Sequence, residues 1–333
     1  MDLARPQGRT KAVNRRAFLL AGAAVPLSLA LDPRGFAARL AATPVALVTA
    51  DLESHVVVLD LASGETIREI VTGPGPRSIE SVLARVAVVA HTRHGVVSLI
   101  AGTQPTVRKE IETFAAPRYT AAHPAGAIAY VTDSTNEEVV ALDIERGRVL
   151  WRTHVPGPAR HVSISPDGRT VWTSLGSKAA RIALLDASDR RRPRLARTFA
   201  PPFLAHDVVF APDGSGMWVT SGSERRLALY RLDSRRPQRL IAADAPPQHV
   251  TFAGGRAFVA SGDDGTVRRH RLDGELVGQA RVPVGSYNVT FGSGRVVTPS
   301  LERGTLSILD TRGRVRAVRH VARAAHDACI LAT

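Results

Sequence analysis

Between Ala127 and Ile144 the chain reads AIAYVTDSTNEEVVALDI. Two apolar runs, Ala127–Thr132 and Val139–Ile144, flank a polar turn at Asp133–Glu138. β-Branched and aromatic residues fill the runs, and the gap is Asn, Asp and Ser, so the stretch predicts a β-hairpin. The same text recurs along the chain past residue 43. A small residue pair ends each first run: Val48-Thr49, Val89-Ala90, Val131-Thr132, Thr173-Ser174, Val219-Thr220, Val259-Ala260 and Thr298-Pro299. The steps between them are 41, 42, 42, 46, 40 and 39 residues. An aspartate ends the second run in six copies: Asp60, Asp143, Asp186, Asp233, Asp273 and Asp310. Two independent anchors in one phase exclude chance alternation.

A period near 40 with several strands per unit is the pattern of a propeller blade. In the third unit the four strands are expected at Tyr119–Ala122, Ala127–Thr132, Val139–Ile144 and Arg148–Thr153. Pro-Asp-Gly turns join first to second strand at Pro166-Asp167-Gly168 and Pro212-Asp213-Gly214. The long step of 46 is assigned to an insertion at Asp189–Arg194. The first unit lacks an inner strand, and the last is followed by a spare one, His326–Leu331. The fold expected is therefore all-β, a seven-bladed β-propeller closed by a C-terminal strand that completes the first blade. Closure of that kind pairs edges otherwise left open.

Units of the form SPDG…(Y/W)VT…V..(I/L)D resemble the YVTN-type propeller repeat of exported bacterial proteins. Tyr130-Val131-Thr132-Asp133 and Trp218-Val219-Thr220-Ser221 carry the resemblance. It covers nearly all of residues 44–331 and is specific for fold more than for chemistry. The family it implies includes surface antigens, lactonase-like enzymes and relatives with a haem or copper centre in a channel.

The first 42 residues read differently. Met1–Arg16 is basic, and Ala17–Leu31 is a short apolar run with Pro26 inside it. That run is too short for a membrane span. Asn14-Arg15-Arg16-Ala17-Phe18-Leu19-Leu20 resembles a twin-arginine export motif. Residues 1–42 are thus expected to be a signal segment and 43–333 the propeller. The resemblance implies export to the periplasm, cell surface or medium, a monomer, and no integral membrane domain once the signal is removed.

Charge adds one feature. Net charge is +14, and the excess is arginine, since only Lys11, Lys109 and Lys178 are lysine. Arginines crowd the third-to-fourth-strand joints at Arg190–Arg197, Arg235–Arg239 and Arg312–Arg319. These loops offer a surface to nucleic acid or another polyanion. They lack aromatics for base stacking, which argues against sequence-specific single-strand binding.

Candidate chemistry falls where chain enters the inner strands, around one mouth of the channel. One aligned row is Arg77, Arg118, Arg160, His206, Gln248, Tyr287 and His326. The next is Ser78, Tyr119, His161, Asp207, His249, Asn288 and Asp327. All fourteen can hydrogen-bond, whereas Val162, Val208, Val250, Val289 and Ala328 just after them are apolar. Such a mouth suits a small polar or anionic ligand, or a metal. His206, His249 and His326 are the metal candidates, and Arg77, Arg118 and Arg160 the anion candidates. Loop carboxylates at Asp51, Glu53, Asp133, Glu137 and Glu138 compete for those arginines.

Several functions are excluded. There is no Walker loop, nucleophile elbow or Cys-x-x-Cys-His, so covalent c-type haem is ruled out. Ala141–Trp151 resembles a quinoprotein docking motif with Arg146 in place of its Thr. The lone Cys329 sits in an apolar run, as a small buried hydrophobe would. The expected function is a ligand-binding or interaction scaffold with no cofactor assigned. The alternative is an enzyme in the same mouth, either a lactone hydrolase or a metal- or haem-dependent oxidoreductase.

Overall fold

The computed structural model describes residues 43–332, so the expected signal segment lies outside the described residues. Seven four-stranded antiparallel sheets follow one another along the chain, and among the described residues there is no α-helix. The first sheet has the order β28-β1-β2-β3, built from β1 (Val45–Ala50), β2 (His55–Asp60), β3 (Thr66–Val71) and the last strand, β28 (Ala325–Leu331). Val45 pairs with Leu331 and Ala46 with Ile330, so the C-terminal strand does complete the first blade. The other inner strands are β4 (Ser78–Val82), β8 (Pro117–Ala122), β12 (Val162–Ile164), β16 (Val208–Phe210), β20 (Val250–Ala253) and β24 (Thr290–Gly292). The founding hairpin appears as β9 (Ile128–Asp133) and β10 (Glu138–Asp143), within one residue of expectation.

The core sits between blades. Successive strand residues face opposite sides of a sheet, so each blade presents apolar residues to both neighbours. Val45 and Leu47 pack with Ile79 and Val89 of the second blade. Ala46 and Val48, from the same strand, pack with Val297 and Leu306 of the seventh. Each of the seven apolar clusters lies at one blade junction. Aliphatic side chains fill most of them, as the 5% aromatic content requires. The exception is the junction of the fourth and fifth blades, where Trp172, Phe199, Phe210 and Tyr230 make edge-to-face contacts.

Both repeat anchors have a physical cause. Asp60 Oδ1 accepts the backbone N–H of Ala62 and Ser63, which turns the chain out of β2. Asp143, Asp186, Asp273 and Asp310 do the same for their own blades. The threonine of the other anchor ties blades together. Thr49, Thr132 and Thr220 donate to the carbonyls of Arg77, Arg160 and Gln248, each the entry residue of the next blade, at 2.6–2.7 Å. The long fourth-to-fifth step is shared more widely than the sequence pattern assigns it. Residues 187–193 form one long connection, but residues 175–181 form another, where the third blade uses only 134–137.

Candidate functional site

Arg77, Arg160 and Gln248 are positioned by those threonine bonds, and the two aligned rows differ in which of them lines the channel. A cavity of about 280 Å³ occupies the channel and is lined from all seven inner strands. Tyr119, His161, Asp207, His249, Asn288 and Asp327, all of the second row, line it. The first row stands on the rim. Arg77 Nη1 pairs with Asp51 Oδ2 at 2.6 Å. Tyr287 donates its hydroxyl to Glu302 and lies over Gly262, away from the channel. His326 Nδ1 meets the Arg77 carbonyl at 3.0 Å, and Asn288 Nδ2 donates to the His326 carbonyl at 2.7 Å.

Three histidines from the fourth, fifth and sixth blades converge. The His161 ring centroid is 4.3 Å from that of His206 and 4.9 Å from that of His249, and His206 and His249 are 5.3 Å apart. One ring nitrogen from each lies within 4.8 Å of the other two. Tyr119 packs on the group, 4.2 Å from His161 by ring centroid. The cluster thus takes in His161 in place of His326, which the sequence reading had grouped with His206 and His249. Adjacent side chains diverge only within an extended strand. His206 precedes β16, where the backbone is irregular, so it reaches the same group as the second-row histidines.

Hydrogen bonds set the tautomers. His206 Nδ1 lies 3.0 Å from the Ser177 carbonyl, and His249 Nδ1 lies 3.3 Å from Asp207 Oδ2. Both oxygens only accept, so each Nδ1 carries a hydrogen. Ser174 Oγ accepts the His161 backbone N–H and stands 3.4 Å from His161 Nδ1 and 3.3 Å from the Gly176 carbonyl, so its single hydrogen goes to one of the two. In the neutral ring this leaves the Nε2 lone pair of His206 and of His249 free. His161 Nε2 is buried with no partner. Burial first, then the neighbouring imidazoles His206 and His249, hold His161 well below the ordinary histidine pKa. Burial, with His249 next, lowers His206 to about 4. Burial, followed by the Arg77 charge, also holds His326 well below the ordinary histidine pKa.

The repeated His-Asp dipeptides have one shared role and one difference. Asp207 accepts Val250 N–H of the next blade, and Asp327 accepts Ile79 N–H of the next blade, at 3.2 and 3.1 Å. Neither carboxylate meets its own neighbouring histidine. Asp207 additionally holds His249, whereas Asp327 has no imidazole across from it. Burial pushes Asp327 up to about 8, against the lowering effect of its two backbone donors. Glu80, which also lines the cavity, is pushed up to about 7 by burial. Sequence reasoning passed over Glu80. Its signal was a lone acid where the corresponding residues of the other blades, Ala121, Ser163, Val209 and Thr290 among them, are small or uncharged.

The arginine-rich loops lie on the opposite face, because third-to-fourth-strand joints alternate with the entry loops in an antiparallel blade. Several of their guanidinium groups are engaged: Arg316 with Asp310, Arg239 with the Asp273 carbonyl, and Arg192 over the Trp151 ring at 5.2 Å. Trp151 itself is half exposed on an outer strand, and Arg146 bonds Asp143 where a quinoprotein motif would have its threonine. Cys329 is buried, and burial raises its thiol pKa.

A family model described as outer membrane protein assembly factor BamB matches residues 93–193. No curated protein matches the chain. Among solved structures the chain is similar to a functionally unknown protein from Desulfotomaculum acetoxidans, at 15% identity and TM-score 0.74, covering 86% of this chain and 98% of that one. It is also similar to apo AztD from Citrobacter koseri, at 13% identity and TM-score 0.68, covering 87% and 98%. A putative 6-phosphogluconolactonase from Bacteroides fragilis aligns at 12% identity and TM-score 0.70, again covering 87% and 98%. Identities this low speak to architecture. The match over residues 93–193, the whole-length similarities and the seven closed sheets together make the chain a seven-bladed β-propeller with a BamB-like repeat segment.

Proposed function

We propose that the chain is an exported, YVTN-type propeller that serves as a binding scaffold, and that its channel mouth takes a divalent transition-metal cation of the zinc class. Residues 1–42 supply the export signal in this reading. His161, His206 and His249 are the ligands. The observation that carries the reading is the convergence of one ring nitrogen from each of three adjacent blades within 4.8 Å, with His206 and His249 held through Nδ1 by oxygens. Imidazoles oriented through Nδ1 in this way suit zinc, copper or nickel. Their lowered pKa values keep His161 and His206 unprotonated, hence competent to bind, through mild acid. A set of three nitrogens leaves a tetrahedral ion one open position. Export in this reading rests on the twin-arginine-like stretch Asn14–Leu20.

The test is zinc titration by calorimetry on natively exported protein, with metal analysis after dialysis. One equivalent is expected, with at least a hundredfold weaker binding in His161→Ala and His249→Ala and little change in His326→Ala. Absence of stoichiometric metal, or equal affinity in all four proteins, refutes the reading.

A further inference from the structure

Three arginines stand on consecutive blades at the rim, and the structure treats them unequally. Arg77 is neutralised by Asp51. Arg118 makes one side-chain hydrogen bond, from Nε to Ser134 Oγ at 3.0 Å, and meets no carboxylate among the described residues. Arg160 makes no side-chain hydrogen bond there, and its Nε is buried without a partner. Four of the five loop carboxylates named above are already committed, and Glu137 pairs with no arginine among the described residues. Asp133 accepts the N–H groups of Ala115, Ala116, Thr135 and Asn136. Glu138 pairs with Arg152 at 2.7 Å, and Glu53 lies 3.5 Å from Arg323.

The two unpaired arginines are also fixed in place. The Arg160 carbonyl accepts from Thr132 and its N–H donates to Ser174 O, while the Arg118 carbonyl accepts from Ser78. Each directly precedes a member of the ring cluster, Tyr119 or His161, whose centroids are 4.2 Å apart. Two half-buried like charges on adjacent blades raise the energy of the empty mouth, and an anion between them lowers it. Burial, then the charges of Arg160 and Arg77, already depress the Arg118 pKa. Guanidinium forks match a carboxylate in two-point geometry.

We infer that Arg118 and Arg160 form a receptor for a carboxylate of a small anionic ligand beside the three histidines. The mouth then takes a metal ion together with a carboxylate-bearing anion, whose second donor fills the open metal position. The carboxylate receptor stands on the arginines alone. The joint uptake rests on the metal reading above. A dicarboxylate supplies both groups, one carboxylate for the arginines and one for the open metal position.

The experiment loads the full chain with Co²⁺, whose visible spectrum reports coordination, and then titrates malonate. The expected result is a change in the cobalt bands on malonate addition. In Arg118→Gln/Arg160→Gln malonate should bind at least tenfold more weakly, with cobalt affinity within threefold of wild type. Malonate that leaves the cobalt spectrum unchanged overturns joint uptake. Equal malonate affinity in wild type and the double variant overturns the arginine receptor. If the chain takes up no cobalt, the metal reading falls, and calorimetry of malonate with the metal-free protein judges the arginines by the same tenfold criterion. No malonate binding in that titration overturns them too.

Discussion

Ile330 is the side chain through which the last strand grips the first and seventh blades, and cutting it back measures that grip. It is 4% exposed and packs among Val57, Leu59, Val297, Leu306 and Ile308. Ile330→Ala deletes three buried carbons in a junction that cannot collapse freely, because strand pairing fixes both walls. Such truncations cost about 2–5 kcal/mol. At about 3 kcal/mol the melting temperature of a domain this large should fall by about 6–12 °C. Val318→Ala is the control. Val318 is 41% exposed on the outer strand Val315–His320, and its loss should cost under about 0.5 kcal/mol. Scanning calorimetry and urea midpoints read both. Removing Ala325–Thr333 entirely strips the inner strand of the first blade, and burying Ile330 and Leu331 alone is worth about 1.5–3 kcal/mol each. With the Asp327, His326 and Asn288 bonds also lost, the deficit approaches the ~5–15 kcal/mol that holds a domain folded. The truncated chain should not fold. A melting curve unchanged by Ile330→Ala or by the truncation would show that the seam is not where the ring is held.

Gly304→Ala should lower the urea midpoint by about 2 kcal/mol or more. Its φ is +61°, and a Cβ would sit 1.7 Å from the Ala322 carbonyl oxygen, so an unchanged midpoint would contradict this turn. Asp207→Asn should weaken zinc binding roughly 10–100-fold by releasing His249, as calorimetry would record, and equal affinity would remove Asp207 from the site. Asp327→Asn addresses pH. Asp327 keeps its proton in the fold up to about 8 against an ordinary value of 3.8, so its contribution is present below pH 3.8 and is lost as pH rises toward 8. The variant should therefore gain on wild type between pH 5 and pH 8 in urea midpoints. A constant difference between the two proteins would refute that assignment.

Much of the fold was legible because blade repeats write the same constraints seven times. The aspartate anchor is an N–H-capping turn, and the threonine anchor reaches the next blade, so both recur wherever the geometry does. The mouth was legible as two rows of polar entry residues for the same reason. Which members meet was not. Pairing Asp207 with His249 depends on a side chain crossing from one blade to the next. His206 and His326 occupy equivalent positions in the repeat, yet one joins the imidazole group and the other turns to the Arg77 carbonyl. The unequal arginines follow from where Asp51, Asp133 and Glu138 spend their oxygens, which spacing along the chain does not encode.

The aromatic wedge of Trp172, Phe199, Phe210 and Tyr230 stands directly behind His161 and His206, while the stitch between the chain's two ends lies on the far side of the circle. Thermal fraying is expected to begin at that stitch, the one sheet among the described residues assembled from distant parts of the sequence. The half of the circle carrying the imidazoles should then be the last to loosen, and the buried Trp172 and Trp218 would report on it by fluorescence once Trp151, exposed on the third blade, is replaced. The imidazole group can therefore stay assembled even while the two ends of the chain have momentarily parted.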